Sequence, residues 1–372
     1  MRDKWTVTHD FAFVFGGAEL VTQQICSTFD EADLLTIAGE PDVISQMSGS
    51  SKAIVSRLVN DKNYRYLLPA YPLLLPKRGP IEGSVIASSY AFAHHLRCTG
   101  SKVVYCHSPL RQIWSASDEL RSAADWKQRF AVQLLARPMR RLDRSAAVRA
   151  DLYIATSTAV RGRIERYYGY KNVEIVPPPL NLPSGSFPAK GRSERAGLLW
   201  VGRVIEPYKK LGLLVSAMRD LPDHTLTVVG DGRDMELIRS EAPSNVCFKG
   251  WVSREELASL YGSHELLAFP SEDDFGITPI EAQSEGTPVV AYRGGGAVDT
   301  VSEDFSGVFF DEHSTASLVD AIRRASAMSW DYSAIQSAAR DSYSTERFRN
   351  RLSDIVEAID PRASTSSTRR SS

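Results

Sequence analysis

The 372-residue sequence predicts a parallel α/β protein built as two doubly wound, Rossmann-like domains in tandem. Three observations carry that expectation. Short apolar runs alternate with helical patterns along most of the chain, the arrangement that buries parallel strands between helices on both faces of a sheet. The length exceeds what one ordinary hydrophobic core fills, so two domains are the default. A stretch rich in Pro, Gly and Ser, residues 177–196, has linker composition and separates two such alternating series.

Taken in order, the first domain is expected over 1–176, with strands at 5–9, 33–37, 83–87, 102–106, 151–155 and 173–176. The helix after its first strand is expected from Ala18 through Cys26. The second domain, 197–345, opens on the apolar strand 197–201 and continues with strands at 225–229, 245–249, 265–269, 287–291 and 307–310. Helical patterns follow most of them, at 208–219, 233–241, 253–262 and 279–285. A last helical segment, 346–360, is expected to pack back on the first domain, and 361–372 has the composition of a disordered tail. Paired domains of this kind are expected to face each other across a cleft and to take ligand between the carboxyl ends of their strands.

Composition narrows the classes. Charged residues make up 24% and hydrophobic residues 43%, and no apolar run approaches the roughly 18 residues needed to span a bilayer. Asp10 and Glu19 interrupt any secretion-signal pattern, so the chain is expected in the cytoplasm, at most peripheral at the inner face of the membrane. Cys26, Cys98, Cys106 and Cys247 lack metal-ligand spacing and read as buried free thiols, with neither zinc nor disulfide expected. The net charge of −1 hides an asymmetry: residues 1–180 carry +6 and the remainder −7. A basic half fits an anionic partner such as lipid headgroups or a phosphorylated acceptor, and its charge is too dispersed for nucleic acid. Arg137, Arg141 and Arg144 share one helical face, which reads equally as a solvated face or as a membrane or acceptor patch.

Several motifs sit where strands end and helices begin. Gly16 and Gly17 follow the first strand, where glycine lets backbone approach a phosphate and the following helix start favours negative charge. Arg203 and Lys209 follow the first strand of the second domain; a guanidinium and an ammonium six residues apart can together neutralise a diphosphate. Residues 269–282 end a strand, place Glu272, Asp273 and Asp274 in a loop beside Gly276, and open a helix. Thr278 is the expected N-cap there, and Glu281 can return to it as a capping box. Amides for phosphate beside acids for hydroxyls suit a nucleotide sugar. Two alternative readings remain beside this one: three consecutive acids can also bind a metal, and Glu281 can be a cap only. His107 ends a strand and is followed by Ser108-Pro109; a single histidine is more often structural than catalytic.

These residues together resemble the retaining glycosyltransferases of family 4, with the GT-B fold. The resemblance rests on Gly16-Gly17-Ala18-Glu19, Cys106-His107-Ser108-Pro109, Gly202-Arg203 with Lys209, Phe275-Gly276-x-x-Pro279-x-Glu281-Ala282, and Gly286-Thr287-Pro288-Val289-Val290 with Gly294-Gly295-Gly296. It looks closest to mannosyltransferase-like members that build bacterial surface polysaccharides and glycolipids. The resemblance implies that Gly17 contacts the donor diphosphate, that Arg203 and Lys209 hold its charge, and that Glu281 accepts from the ribose hydroxyls. The amides of Phe275, Gly276 and Ile277 would grip sugar and phosphate, His107 would lie beside the transferred sugar, and Trp251 and Val252 would border the base. It implies no metal or bound cofactor, with a nucleotide-diphosphate sugar as co-substrate, GDP-mannose ahead of UDP-sugars, and a glycan or lipid-linked acceptor.

One departure stands out. The family carries two glutamates eight positions apart, and eight before Glu281 stands Asp273, preceded by Glu272. Asp is a methylene shorter, so either Asp273 keeps the sugar contact or Glu272 takes it over. The departure also prompts a rival reading, a non-catalytic nucleotide-sugar binder or regulatory homologue. A nicotinamide or flavin enzyme would need a G-x-G-x-x-G after the first strand, which Gly16-Gly17 does not supply.

Overall fold

A computed structural model describes residues 5–29, 32–54, 59–61, 63, 64, 67, 70–75, 79–114, 126–180 and 189–359. Part of the expected linker, 181–188, and the expected tail lie outside the described residues. The chain forms two compact units, Met1–Pro178 together with Thr345–Ser372, and Pro179–Ser344.

The first unit holds seven parallel strands: β1 (Thr6–Ala12), β2 (Asp33–Gly39), β3 (Ser51–Ala53), β4 (Val85–Ser89), β5 (Lys102–Cys106), β6 (Leu152–Ala155) and β7 (Val173–Ile175), in the order β3-β2-β1-β4-β5-β6-β7. Side chains alternate between the two faces, as the strand period of two requires. Ile86, Val103 and Ile154 join the core under the helix Gly17–Thr28, whereas Val85, Ala87, Val104 and Tyr153 join the one under the helix Thr158–Tyr168. The helix Thr345–Ile359 seals the first of these cores with Phe348, Leu352, Ile355 and Val356, spaced i, i+4, i+7 and i+8 on one face. Burying such side chains contributes up to about 1.5–3 kcal/mol each. Arg349 adds hydrogen bonds to Gln24, and Arg351 pairs with Glu174.

The second unit holds six parallel strands: β8 (Leu198–Val201), β9 (Leu226–Val229), β10 (Val246–Gly250), β11 (Leu266–Phe269), β12 (Val289–Tyr292) and β13 (Gly307–Phe310), in the order β10-β9-β8-β11-β12-β13. Both sheets are doubly wound and parallel, as the alternation of elements predicts. In each, strand order reverses beside the first strand, between β1 and β4 in one and between β8 and β11 in the other. Loops leaving the carboxyl ends at these reversals diverge to opposite faces and leave a crevice where ligands collect. The fold therefore selects, in each unit, the segments after its first strand and after the neighbour at the reversal.

The structure corrects three sequence expectations. The strand β3 went unseen, because Ser51-Lys52-Ala53 is polar and mostly exposed at a sheet edge and shows no apolar run. The helix expected over 208–219 is Leu211–Ala217, because Lys210 takes the left-handed conformation (φ 52°) and the helix starts only after it. The cysteines are free thiols, but only Cys106 is buried; Cys26 and Cys98 are half-buried and Cys247 is exposed.

Candidate functional site

In the second unit, the reversal between β8 and β11 brings together the two segments singled out in the sequence. Lys209 Nζ lies 2.5 Å from Asp273 Oδ2, with 17% and 18% of the two side chains exposed. The other oxygen, Asp273 Oδ1, is buried and has no hydrogen-bond partner among the described residues. A buried unpaired carboxylate oxygen costs on the order of 1–3 kcal/mol unless something donates to it, which makes it a position for a ligand hydroxyl. Glu272, its competitor for that role, is exposed. Arg203 is also exposed and makes no hydrogen bond or ion pair with any described residue, so its guanidinium is available to an anion.

The helix after this loop runs Ile277–Ser284 and differs from expectation at its start. Its N-cap is Gly276, in the left-handed conformation (φ 83°, ψ 67°), not Thr278. Only glycine takes that conformation without strain, so the loop turns into the helix two residues earlier than a Thr cap would allow. The first-turn amides of Ile277 and Thr278 therefore lack intrahelical acceptors, and Pro279 has no N–H to offer. The capping box does not form: the Glu281 carboxylate accepts from the Tyr261 hydroxyl at 3.0 Å. Burial pushes the Glu281 carboxyl above its ordinary range, opposed by the Tyr261 hydrogen bond and by Arg254.

The loop 272–275 is held by close backbone packing. The Gly296 amide donates to the Asp273 carbonyl at 2.8 Å. A Cβ at Gly296 would lie 2.2 Å from the Phe275 carbonyl oxygen, and one at Gly295 would lie 2.3 Å from that of Asp273. Phe275 is buried against Leu180 and Ile280. Trp251 and Val252 follow β10, where Trp251 leaves 86% of its surface in solvent and Val252 is half-buried. An exposed indole suits stacking on a base.

In the first unit, Gly16 is the N-cap of the helix Gly17–Thr28, and its amide donates to Glu19 Oε2 at 2.9 Å. A Cβ at Gly17 would meet nothing within 4 Å, so open space lies before this turn. His107, at the end of β5, is half-buried and its Nε2 sits 2.8 Å from Ser88 Oγ. Burial, followed by the neighbouring His9, pushes its pKa down to about 3, so the ring is neutral at physiological pH. His9, Asp10, Glu19, Thr22 and Ser88 were not singled out by sequence for this site. The signal was there: β1 reads Thr-Val-Thr-His-Asp-Phe-Ala, and polar residues in a strand buried on both faces are expensive unless they are used. Asp10 accounts for one of them, since it accepts the amides of Tyr90, Ala91, Phe92 and Ala93 at 2.5–2.7 Å.

Another buried group, His94, His95 and Asp143, brings three possible metal-ligating atoms together. Its bonding is that of a satisfied carboxylate. Asp143 accepts from His95 Nε2 at 2.9 Å and from Trp114 Nε1 at 2.6 Å. His94 Nε2 lies 3.0 Å from the same Asp143 oxygen as His95 and, against its burial, both rings hold the Asp143 carboxyl well below its ordinary range. Arg137, Arg141 and Arg144 are all exposed, and Arg144 lies over the Trp114 ring and donates to the Tyr167 carbonyl.

Two parallel Rossmann-like units make up the GT-B fold. Residues 195–327 match the family model described as glycosyl transferases group 1, a match that lies within the second unit. Among curated proteins, the chain is 37% identical over 123 residues to sulfoquinovosyl transferase SQD2 of Arabidopsis thaliana, covering 32% of this chain and 24% of that protein. It is 30% identical over 200 residues to D-inositol 3-phosphate glycosyltransferase of Xylanimonas cellulosilytica, covering 46% and 48%. The chain thus spans a quarter to about half the length of these relatives. Similar solved structures include Anabaena HepE in complex with UDP and glucose (TM-score 0.69, 16% identity, 96% of this chain and 100% of that one). The lipopolysaccharide outer core galactosyltransferase WaaB is another (TM-score 0.67, 16% identity, 95% and 100%). At that identity the likeness concerns the fold. No described helix is long and apolar enough to cross a membrane.

Proposed function

We propose that this chain is a retaining, metal-independent glycosyltransferase that moves a hexose, mannose ahead of others, from a nucleotide-diphosphate sugar to a glycan or lipid-linked hydroxyl. The observation that carries the reading is the Lys209–Asp273 pair at the β8/β11 reversal, with Asp273 Oδ1 buried and unpartnered and Arg203 free of described partners. A cation for a diphosphate and an unsatisfied carboxylate for a hydroxyl lie side by side. The group 1 match over this unit and the UDP complexes named for HepE support it.

In the transfer, the bond between the anomeric carbon and the β-phosphate oxygen breaks, and a bond from the acceptor oxygen to that carbon forms on the same face. The acceptor proton passes to the departing phosphate, and no enzyme side chain becomes covalently linked. Arg203, Lys209 and the amides of Ile277 and Thr278 stabilise the charge that develops on the diphosphate, an interaction stronger in the transition state than in the bound substrate. Glu281 takes the ribose hydroxyls and Asp273 a sugar hydroxyl. Gly16 and Gly17 approach the diphosphate, and His107 the sugar. The same chemistry at an anionic membrane surface would engage Arg137 and Arg141.

The test is a donor panel. Purified chain is incubated with GDP-mannose or UDP-hexoses and simple hydroxyl acceptors, and nucleoside diphosphate release and product anomeric configuration are followed. Release with retained configuration, unaffected by chelators, supports the proposal. Donor binding without release across the panel would instead identify a nucleotide-sugar-binding homologue.

A further inference from the structure

Five side chains from four elements of the first unit form one hydrogen-bonded chain that ends at His107. Register brings His9 of β1 opposite Ser88 of β4. Glu19 and Thr22 project from the helix Gly17–Thr28, one turn apart, and His107 follows β5. His9, Thr22 and Ser88 have no exposed surface, and Glu19 has 7%.

The protons in this chain can be counted. Thr22 has a single hydroxyl proton, and two acceptors compete for it: the Ala18 carbonyl at 2.8 Å, the back-bond of a helical threonine, and His9 Nδ1 at 2.9 Å. With the proton on either one, the Thr22 oxygen accepts from Ser88 Oγ at 2.8 Å. His9 Nδ1 also lies 3.3 Å from Ser88 Oγ. His9 Nε2 faces Glu19 Oε1 at 3.3 Å, and a carboxylate only accepts, so that nitrogen carries a proton. Ser88 has spent its proton on Thr22 and must accept from His107 Nε2, 2.8 Å away. In a neutral ring this leaves His107 Nδ1 with a lone pair and, among the described residues, no partner.

We infer that Glu19, His9, Thr22 and Ser88 are positioning residues that fix His107 as the Nε2–H tautomer, turning Nδ1 outward as an acceptor for a ligand hydroxyl. His107 is thereby unable to donate at that atom or to serve as a general acid. The far end of the relay is tied to the phosphate-facing turn, because the second oxygen of Glu19 holds the Gly16 amide. One set of buried groups thus sets both the turn and the ring. Burial, followed by the neighbouring His9, disfavours a second proton on His107. The assignment of His107 to a sugar hydroxyl rests on the proposed transferase reading; the tautomer does not.

The experiment uses the full chain with 15N-labelled histidine and long-range 1H–15N correlation spectra, recorded without donor from pH 8 to 5. His107 is assigned by the signal missing in His107→Gln. The expected result is a neutral Nε2–H pattern for His107 that does not titrate. Ser88→Ala should populate both His107 tautomers, with the minor form rising at least tenfold. A wild-type His107 in the Nδ1–H form, or one that titrates in this range, overturns the relay, and this holds even if the variants do not fold. Unchanged His107 spectra in folded Ser88→Ala would also overturn it. Because the spectra are donor-free, they decide the relay independently of turnover, whose absence would instead count against the transferase reading.

Discussion

Replacing Lys209 with alanine is expected to damage the protein in two separable ways. The ammonium sits 2.5 Å from Asp273 Oδ2, and both side chains are less than a fifth exposed. Removing it leaves a carboxylate whose other oxygen is already buried without a partner. Exposed pairs contribute about 0–1 kcal/mol and fully buried pairs cost about 3–5 kcal/mol to break, so this intermediate site should cost about 1–3 kcal/mol of stability. Loss of one group that stabilises leaving-group charge should lower kcat by about 10²–10³. Adding Asp273→Asn to Lys209→Ala removes the stranded charge, and should recover most of the stability while leaving turnover low. Urea midpoints from intrinsic fluorescence report the first quantity and nucleoside diphosphate release the second. Turnover within threefold of wild type in folded Lys209→Ala would refute the leaving-group role, and failure of Asp273→Asn to restore stability would refute the pairing argument.

Other expectations follow from the same geometry. Arg203→Ala should lose about 10²-fold in turnover with stability within about 0.5 kcal/mol of wild type, since the side chain is exposed and unpaired among the described residues; a matching loss of stability in urea would contradict it. Asp10→Ala should cost at least about 3 kcal/mol by urea midpoint, because four amides, three of them buried, lose their acceptor. Gly296→Ala should displace the loop at Phe275, and a shift on the order of 1 Å is enough to cost up to about 10²-fold in turnover, read as kcat/KM against donor concentration. Stability should fall on acidification below about pH 6.5, the ordinary imidazole value. His107 and His95 have pKa values pushed down by burial to about 3 and about 4. Between those values and 6.5 the unfolded chain takes up protons that the folded chain refuses, so their contribution is complete above the window and lost as pH drops through it. Urea midpoints between pH 7.5 and 5 check the sign.

Much of the second-unit site was legible in the sequence, because topology does the work that periodicity cannot. Once β8 and β11 are recognised as strands either side of a reversal, the loop after β8 is brought to the 272–281 segment, and Lys209 meets Asp273. The helix start was misread for a local reason: Thr278 and Glu281 satisfy the capping-box spacing, while the left-handed conformation of Gly276 depends on the loop's fit against Gly295 and Gly296, twenty residues further on. The relay behind His107 was invisible in the same way. Its members lie up to 98 positions apart, and only the β1–β4 register puts His9 beside Ser88. What the sequence did offer was the polar content of β1, an expense for a buried parallel strand that points to use rather than packing.

The most direct measurement is the thermal stability of the wild-type chain and of Arg203→Ala and Lys209→Ala across nucleoside diphosphate sugars at concentrations near 100 times the dissociation constant. There, binding to the folded state alone adds about 2.7 kcal/mol. Stabilisation of the wild type by at least one such donor, strongly reduced in both variants, is the predicted result. No stabilisation by any donor, or equal stabilisation in wild type and both variants, would contradict a diphosphate-sugar site at the β8/β11 reversal.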